Sequence, residues 1–319
     1  MLTKLSLALV FCFGVLVQNS TAQEPREVRL RCVFEEFPIY SFVQYACILR
    51  NINFDFSNPF YYITIEGEHM TGRTNADVLN LVIQTSDINV IPANIFQVFP
   101  NIQYIEAFRS GIVSMGGTSF TFAARVRGLF VNFNAVPALT GAPFFGRSGV
   151  THLNLYSNQI ESISENFFMS LSGLRYLSLG GNNLRSIPPR LFAPLVNLRH
   201  FLASSNQLES LSRQTFATNR QVEIIALESN KLSSLAENLF NGLDNLEYIG
   251  LTGNTCVDSY FEFDGGVDID DVNNVLQACF DNFVPEPPRR RTLLFELRGN
   301  MTFFDEYNRQ ILNVTGRTD

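Results

Sequence analysis

The sequence predicts an α/β solenoid: a right-handed superhelix of eight repeats around a concave parallel sheet, with a disulfide-stapled cap at each end. Three observations predict it. Serine or asparagine recurs every 24 residues, at Ser86, Ser110, Asn134, Asn158, Asn182, Asn206, Asn230 and Asn254. Apolar residues fill the columns three and five places before that position in all eight copies. Phenylalanine stands ten places after it, at Phe96, Phe120, Phe144, Phe168, Phe192, Phe216 and Phe240. Chance does not fill so many columns at one period, and a fixed period marks a stacked array.

Met1–Ala22 reads as a secretory signal. Lys4 gives the positive start, Leu5 to Val17 carries no charge, and Ser20-Thr21-Ala22 places small residues before a cut at Gln23. The apolar run is shorter than the ~20 residues that a membrane span needs. No later stretch approaches it, so the mature chain is expected to be exported, soluble and extracellular. The 46% hydrophobic content of the full 319-residue sequence excludes disorder. The full sequence has a formal net charge of -7, or 22 − 30 = −8 once Lys4 is removed, which argues against a nucleic-acid partner.

Residues 23–77 are assigned to an N-terminal cap. Val28, Leu30, Cys32 and Phe34 alternate as on a strand, a second extended run surrounds Cys47, and Pro59–Glu66 reads as a third strand.

Residues 78–255 are assigned to the repeats. The clearest copy runs from Leu174 to Leu184, followed by Ile187, Pro188 and Phe192. Its LxL core is a short strand that cannot bury its apolar face alone, whereas stacked copies can. The Asn column lies where the chain leaves the strand. An amide there both donates and accepts, so it can satisfy backbone groups of adjacent coils. Ser86 and Ser110 do only part of this, which predicts two looser first coils. Arg147, Gly149 and Asn219 break the pattern of the return segments and predict a ragged outer side there.

Residues 256–283 are assigned to a C-terminal cap. From Ile269 the spacing of Val272, Val275, Leu276, Cys279 and Phe280 predicts a helix with one buried face. Asp264, Asp268, Asp270 and Asp271 precede or open it. They lack the spacing of a calcium loop and read as helix-start acids. The tail 284–319 carries Arg289–Arg291, the apolar run Leu293–Leu297, and glycosylation sequons at Asn300 and Asn313.

The repeat columns resemble the extracellular leucine-rich repeat family, of the typical 24-residue class, over Val78 to about Cys256. The resemblance implies a right-handed solenoid with a concave parallel sheet and an irregular convex side. The Phe-rich sequence and paired caps are similar to secreted insect leucine-rich repeat proteins, including coil-less members of the leucine-rich immune group. That similarity implies an innate-immune or humoral binding role. Cys12 leaves with the signal, and the remaining four cysteines allow three pairings. Eight strands at ~4.8 Å set the two caps ~35 Å apart. The expected bonds are therefore local, Cys32 with Cys47 and Cys256 with Cys279.

No catalytic motif occurs in the sequence, and no cofactor or metal is expected. His152 and His200 share a column but sit two coils apart, ~10 Å, too far to share a zinc ion. The outward strand positions read instead as a binding strip: Tyr104, Phe108, Phe130, His152, Asn154, Tyr156, Tyr176, His200, Glu228 and Tyr248, with Phe133 beside them. Aromatic residues are enriched at interfaces and depleted on solvated sheets. The expected function is non-catalytic recognition of an extracellular protein or glycoconjugate. The competing readings are a matrix or adhesion component and a regulator that dimerises through its tail.

Overall fold

The structure is a computed structural model. It describes residues 25–39, 42–57, 61–117, 119–120, 122–146, 149–263 and 268–284. The signal segment, Asp264, Arg147, Arg289–Arg291, Asn300 and Asn313 lie outside the described residues. The chain divides into two compact units, Met1–Ile160 with Met169–Leu174, and Glu161–Phe168 with Arg175–Asp319.

In the first unit, β1 (Arg26–Arg31) pairs in parallel with β4 (Tyr61–Glu66). Strands β2 (Val33–Ile39) and β3 (Phe42–Arg50) form an antiparallel hairpin. β3 then joins a parallel series with β5 (Asn80–Gln84), β6 (Tyr104–Phe108), β7 (Gly128–Phe130) and β8 (His152–Asn154). The run expected as one alternating strand is thus two strands in two sheets, broken at Cys32. Val28, Leu30, Cys32 and Phe34 are nonetheless all buried.

In the second unit, β9 (Tyr176–Ser178), β10 (His200–Leu202), β11 (Ile224–Ala226) and β12 (Tyr248–Gly250) form a parallel series. It is closed by the antiparallel strand β13 (Tyr260–Glu262). Within each series from β5 onward, each residue pairs with the one 24 places later, as Asn80 with Tyr104 and His200 with Ile224. The chain is therefore built of stacked solenoid coils on parallel sheet, as the columns predict.

The columns explain the packing. Leu81, Ile105, Leu129 and Leu153 in the first unit, and Leu177, Phe201, Ile225 and Ile249 in the second, are fully buried. The phenylalanine column lies beneath the returns. Phe120 stacks on Phe144 at 4.8 Å, and Phe192 stacks on Phe216 at 6.1 Å, while Phe201 fills the space beside that second pair.

The asparagines act as expected. Asn158 donates to the Val131 and Leu155 carbonyls and accepts from the Val136 amide. Asn206, Asn230 and Asn254 repeat this in the second unit, with the Asn206 oxygen taking the Leu184 amide at 3.0 Å. Ser110 has one hydroxyl hydrogen to share between the Ile83 carbonyl at 2.9 Å and the Phe108 carbonyl at 3.1 Å, where an asparagine amide can serve two carbonyls at once. Asn219 corrects the expectation of a ragged return. It is fully buried and donates to the carbonyls of Phe192 and Leu195, so the amide knits one return to the previous one where other copies place leucine.

Two disulfides are present, Cys32–Cys47 and Cys256–Cys279, each with Cα atoms 5.2 Å apart. The C-terminal helix differs from the expected one. It is two short pieces, α1 (Ile269–Val275) and α2 (Gln277–Phe280), meeting at Leu276 with ψ 2°. The buried stripe is only Val272, Leu276 and Cys279, so Val275 faces solvent at 50% exposure. Asp268 caps the helix by accepting from the amides of Asp270 and Asp271, and these acids stand at the helix start as expected.

Candidate functional site

A feature of the backbone decides which side chains stand on the surface. The residue just before each Ser or Asn of the column adopts positive φ in all eight copies: Thr85, Arg109, Phe133, Ser157, Gly181, Ser205, Ser229 and Gly253. A left-handed residue lets the chain turn sharply out of the strand and aims its side chain outward. An L-residue pays ~1–2 kcal/mol to sit there, whereas glycine does not. Most copies use glycine, serine or threonine. Arg109 (φ 47) and Phe133 (φ 56) are the exceptions, and they occupy successive coils of the first unit.

The rings of Phe108, Phe133 and Tyr156 form a ladder across three successive coils. Phe108 meets Phe133 edge to face at 5.0 Å, and Phe133 meets Tyr156 in the same way at 5.5 Å. All three are exposed, at 42%, 37% and 43%. Arg109 lies over two of them, its Cζ 5.2 Å from the Phe108 centroid and 5.6 Å from that of Phe133. Asn154, expected as a contact residue, instead accepts from the Tyr156 amide at 3.0 Å and holds that end of the ladder.

Other outward strand positions of this unit, Tyr104, Glu106, Phe130 and His152, behave differently. Phe130 is buried at 8% exposure and is not a surface aromatic. Its ring lies across Gly128 beside the Tyr104 ring. A β-carbon at that glycine would sit 2.9 Å from the Phe130 ring and 2.6 Å from the Tyr104 ring. The missing side chain is the space the two rings fill. Glu106 accepts from the Asn80 amide at 3.0 Å, and burial pushes its carboxyl pKa up, with that bond opposing the shift. His152 is half-buried and hydrogen-bonds Thr151 at 2.9 Å.

In the second unit the expected strip residues are occupied with one another. The Tyr248 hydroxyl donates to Glu228 at 2.7 Å, and Ser204 donates to the other oxygen of that carboxylate. Loss of hydration and then the Glu228 contact push the Tyr248 pKa up to about 12. Gly250 makes this possible, since a β-carbon there would lie 1.8 Å from the Glu228 oxygen. Glu228 is therefore an internal acceptor and not an exposed ligand contact. His200 packs edge-on to Tyr176 at 6.1 Å and faces Glu223 at 3.4 Å, and Glu223 also binds Arg199.

Among the described residues, no group of three or more His, Cys, Asp or Glu side chains could hold a metal ion. No described helix is long and apolar enough to cross a membrane.

Sequence comparison agrees with this architecture. The pattern of the family described as leucine rich repeat matches residues 124–177, 148–208 and 202–255. The chain thus contains a leucine-rich repeat domain, a fold that typically serves as a non-enzymatic scaffold for binding proteins. No curated protein matches the chain. Among solved structures, the leucine-rich repeat domain of APL1 is similar, with a TM-score of 0.51 at 20% identity. The match covers 66% of this chain and 50% of that one. A leucine-rich repeat protein of Leptospira interrogans is also similar, with a TM-score of 0.51 at 20% identity, over 56% of this chain and 44% of that one. The match thus spans half or less of each of these structures, and the likeness is one of fold.

Sequence reasoning found Phe108, Tyr156 and Phe133 but not Arg109, because the backbone sign is hidden in most copies. The one available signal was the glycine at 181 and 253, which marks the column as left-handed.

Proposed function

We propose that this is a secreted, non-catalytic recognition protein that captures an extracellular protein through the first unit. The observation that carries this is the exposed ladder of Phe108, Phe133 and Tyr156. Three large rings on one surface are costly to hydrate and valuable to cover, and such anchors dominate protein interfaces. The rings meet at 62° and 71°, so they present an uneven apolar surface and no flat platform for a sugar. This favours a protein over a glycoconjugate. The two disulfides support export, since such bonds persist in oxidising compartments. A role in innate immunity rests on the resemblance to the insect immune group and is decided by which partner is captured.

The test compares capture from the native extracellular fluid by three forms of the protein. Phe133→Ala with Tyr156→Ala should weaken capture by about a hundredfold, from two anchors of ~1–2 kcal/mol each. Tyr176→Ala with Tyr248→Ala should retain it within about threefold. If the first double variant captures as well as the wild type while remaining folded, the ladder is not the binding surface.

A further inference from the structure

We infer that the partner segment bound by this ladder is an apolar peptide carrying a carboxylate, and that Arg109 reads the carboxylate. The inference rests on the ladder being the binding surface and adds the chemistry of what binds there.

Two independent observations carry it. The first is the choice of side chain. All eight coils take positive φ at this column, where only Gly181 and Gly253 avoid the steric cost and Thr85, Ser157, Ser205 and Ser229 meet it with small side chains, whereas Arg109 and Phe133 place large ones there. A bulky residue in such a conformation persists where its side chain is needed, and it marks a candidate site. Two in succession, with side chains in contact, mark a surface built as a unit. The second is charge. Among the described residues Arg109 forms no ion pair. Its guanidinium carbon lies 5.2 Å from the Phe108 centroid and 5.6 Å from that of Phe133, within cation–π range of both, and the residue is exposed.

An exposed guanidinium with no ion pair among the described residues thus stands beside an apolar patch. A guanidinium fork matches a carboxylate with two parallel hydrogen bonds, whereas a lysine or a neutral amide does not. A partner side chain such as Leu or Phe would lie across the exposed ladder rings, and an Asp or Glu beside it would meet Arg109. The rings also displace water from one side of the cation and so strengthen its pull on an anion. The net charge of -7 on the chain does not prevent this, because exposed charges farther than ~8 Å are screened at physiological salt.

Three synthetic twelve-residue peptides test the inference. They share a Leu- and Phe-containing frame and carry Asp, Asn or Lys at the same two positions. Calorimetry with the full-length protein should find the Asp peptide bound at least tenfold more tightly than the Asn peptide, and the Lys peptide weakest. Arg109→Gln should bring the Asp peptide down to the Asn level and leave the Asn peptide unchanged. Added salt should weaken only the Asp peptide. Equal binding of Asp and Asn peptides, or an Arg109→Gln variant that still separates them, overturns the inference. So does an absence of binding by all three peptides. Capture of the native partner separates the two levels. If Phe133→Ala with Tyr156→Ala loses capture while the peptides fail, the surface stands and the acidic chemistry falls. If that variant keeps capture, the surface itself is wrong.

Discussion

The two units use the same columns for different ends. In the second unit, the outward polar groups satisfy each other: Tyr248 and Ser204 close on Glu228, and His200 and Arg199 close on Glu223. The left-handed column there holds only glycine and serine. In the first unit, the same column holds Arg109 and Phe133, and three rings stay exposed. A repeat column therefore states where a side chain will point. It does not state whether that side chain will be occupied, because occupancy depends on the neighbouring coils.

The comparison can be broken at the scaffold first, where the units should behave alike. Asn158→Ala and Asn230→Ala each strip a buried amide that bonds two carbonyls and one backbone N–H. Each orphaned backbone group costs ~1–3 kcal/mol, so both variants should lose about 3 kcal/mol or more in denaturant unfolding. A loss in one unit alone would show that the ladder of amides is not a common support.

Removing the disulfides gives the next effect. Cys32→Ser with Cys47→Ser, and Cys256→Ser with Cys279→Ser, open loops of 15 and 23 residues. Loop-closure entropy predicts losses of ~3 kcal/mol each, measured in the same way. Near-zero loss for either pair would mean that the end it closes is already held by packing.

The internal network of the second unit has a spectroscopic reading. Glu228→Gln removes the negative charge beside the Tyr248 hydroxyl, so the Tyr248 pKa should fall from about 12 towards the ordinary tyrosine value. Phenolate absorbance measured against pH follows it. The sign for stability is also fixed. The raised pKa favours neutral Tyr248 in the folded chain, so its contribution is complete below the unfolded value of ~10. That contribution is lost as pH rises through about 12. A Tyr248 titration that Glu228→Gln leaves unmoved would show that the carboxylate is not its partner in solution.

The smallest effects test the left-handed column. Ser157→Gly and Ser229→Gly should each raise unfolding free energy by up to ~1 kcal/mol, because glycine bears positive φ without the steric cost. Arg109→Gly should be near neutral, since relief of strain offsets loss of the ~0.5–1 kcal/mol stacking on the rings. An Arg109→Gly variant destabilised well beyond that would make the stack a structural brace and weaken the case for a binding role.

Much of the fold was readable because its signals are local and repeated. The 24-residue register, the Phe column and the Asn column all recur with only their own coil as context. The cysteine pairing followed from the distance between the ends. The errors lie where the outcome depends on a neighbour. Phe130 sits at an outward position yet is buried, because Gly128 in the same strand leaves room for its ring. Asn219 breaks a leucine column yet is buried, because carbonyls of the previous return accept its protons. Val275 fits a helical stripe yet faces solvent, because the helix breaks at Leu276.

The sequence by itself determined the coil, its length, its core columns and its amide supports, because stacking identical units makes each residue's environment repeat with the period. Only the tertiary structure decided which outward side chains are spent within the molecule and which remain for a partner. That choice is made between coils, by contacts such as Tyr248 with Glu228 and Arg109 with Phe133, and by the sign of φ at one column. Neither is written in the identity of a single residue.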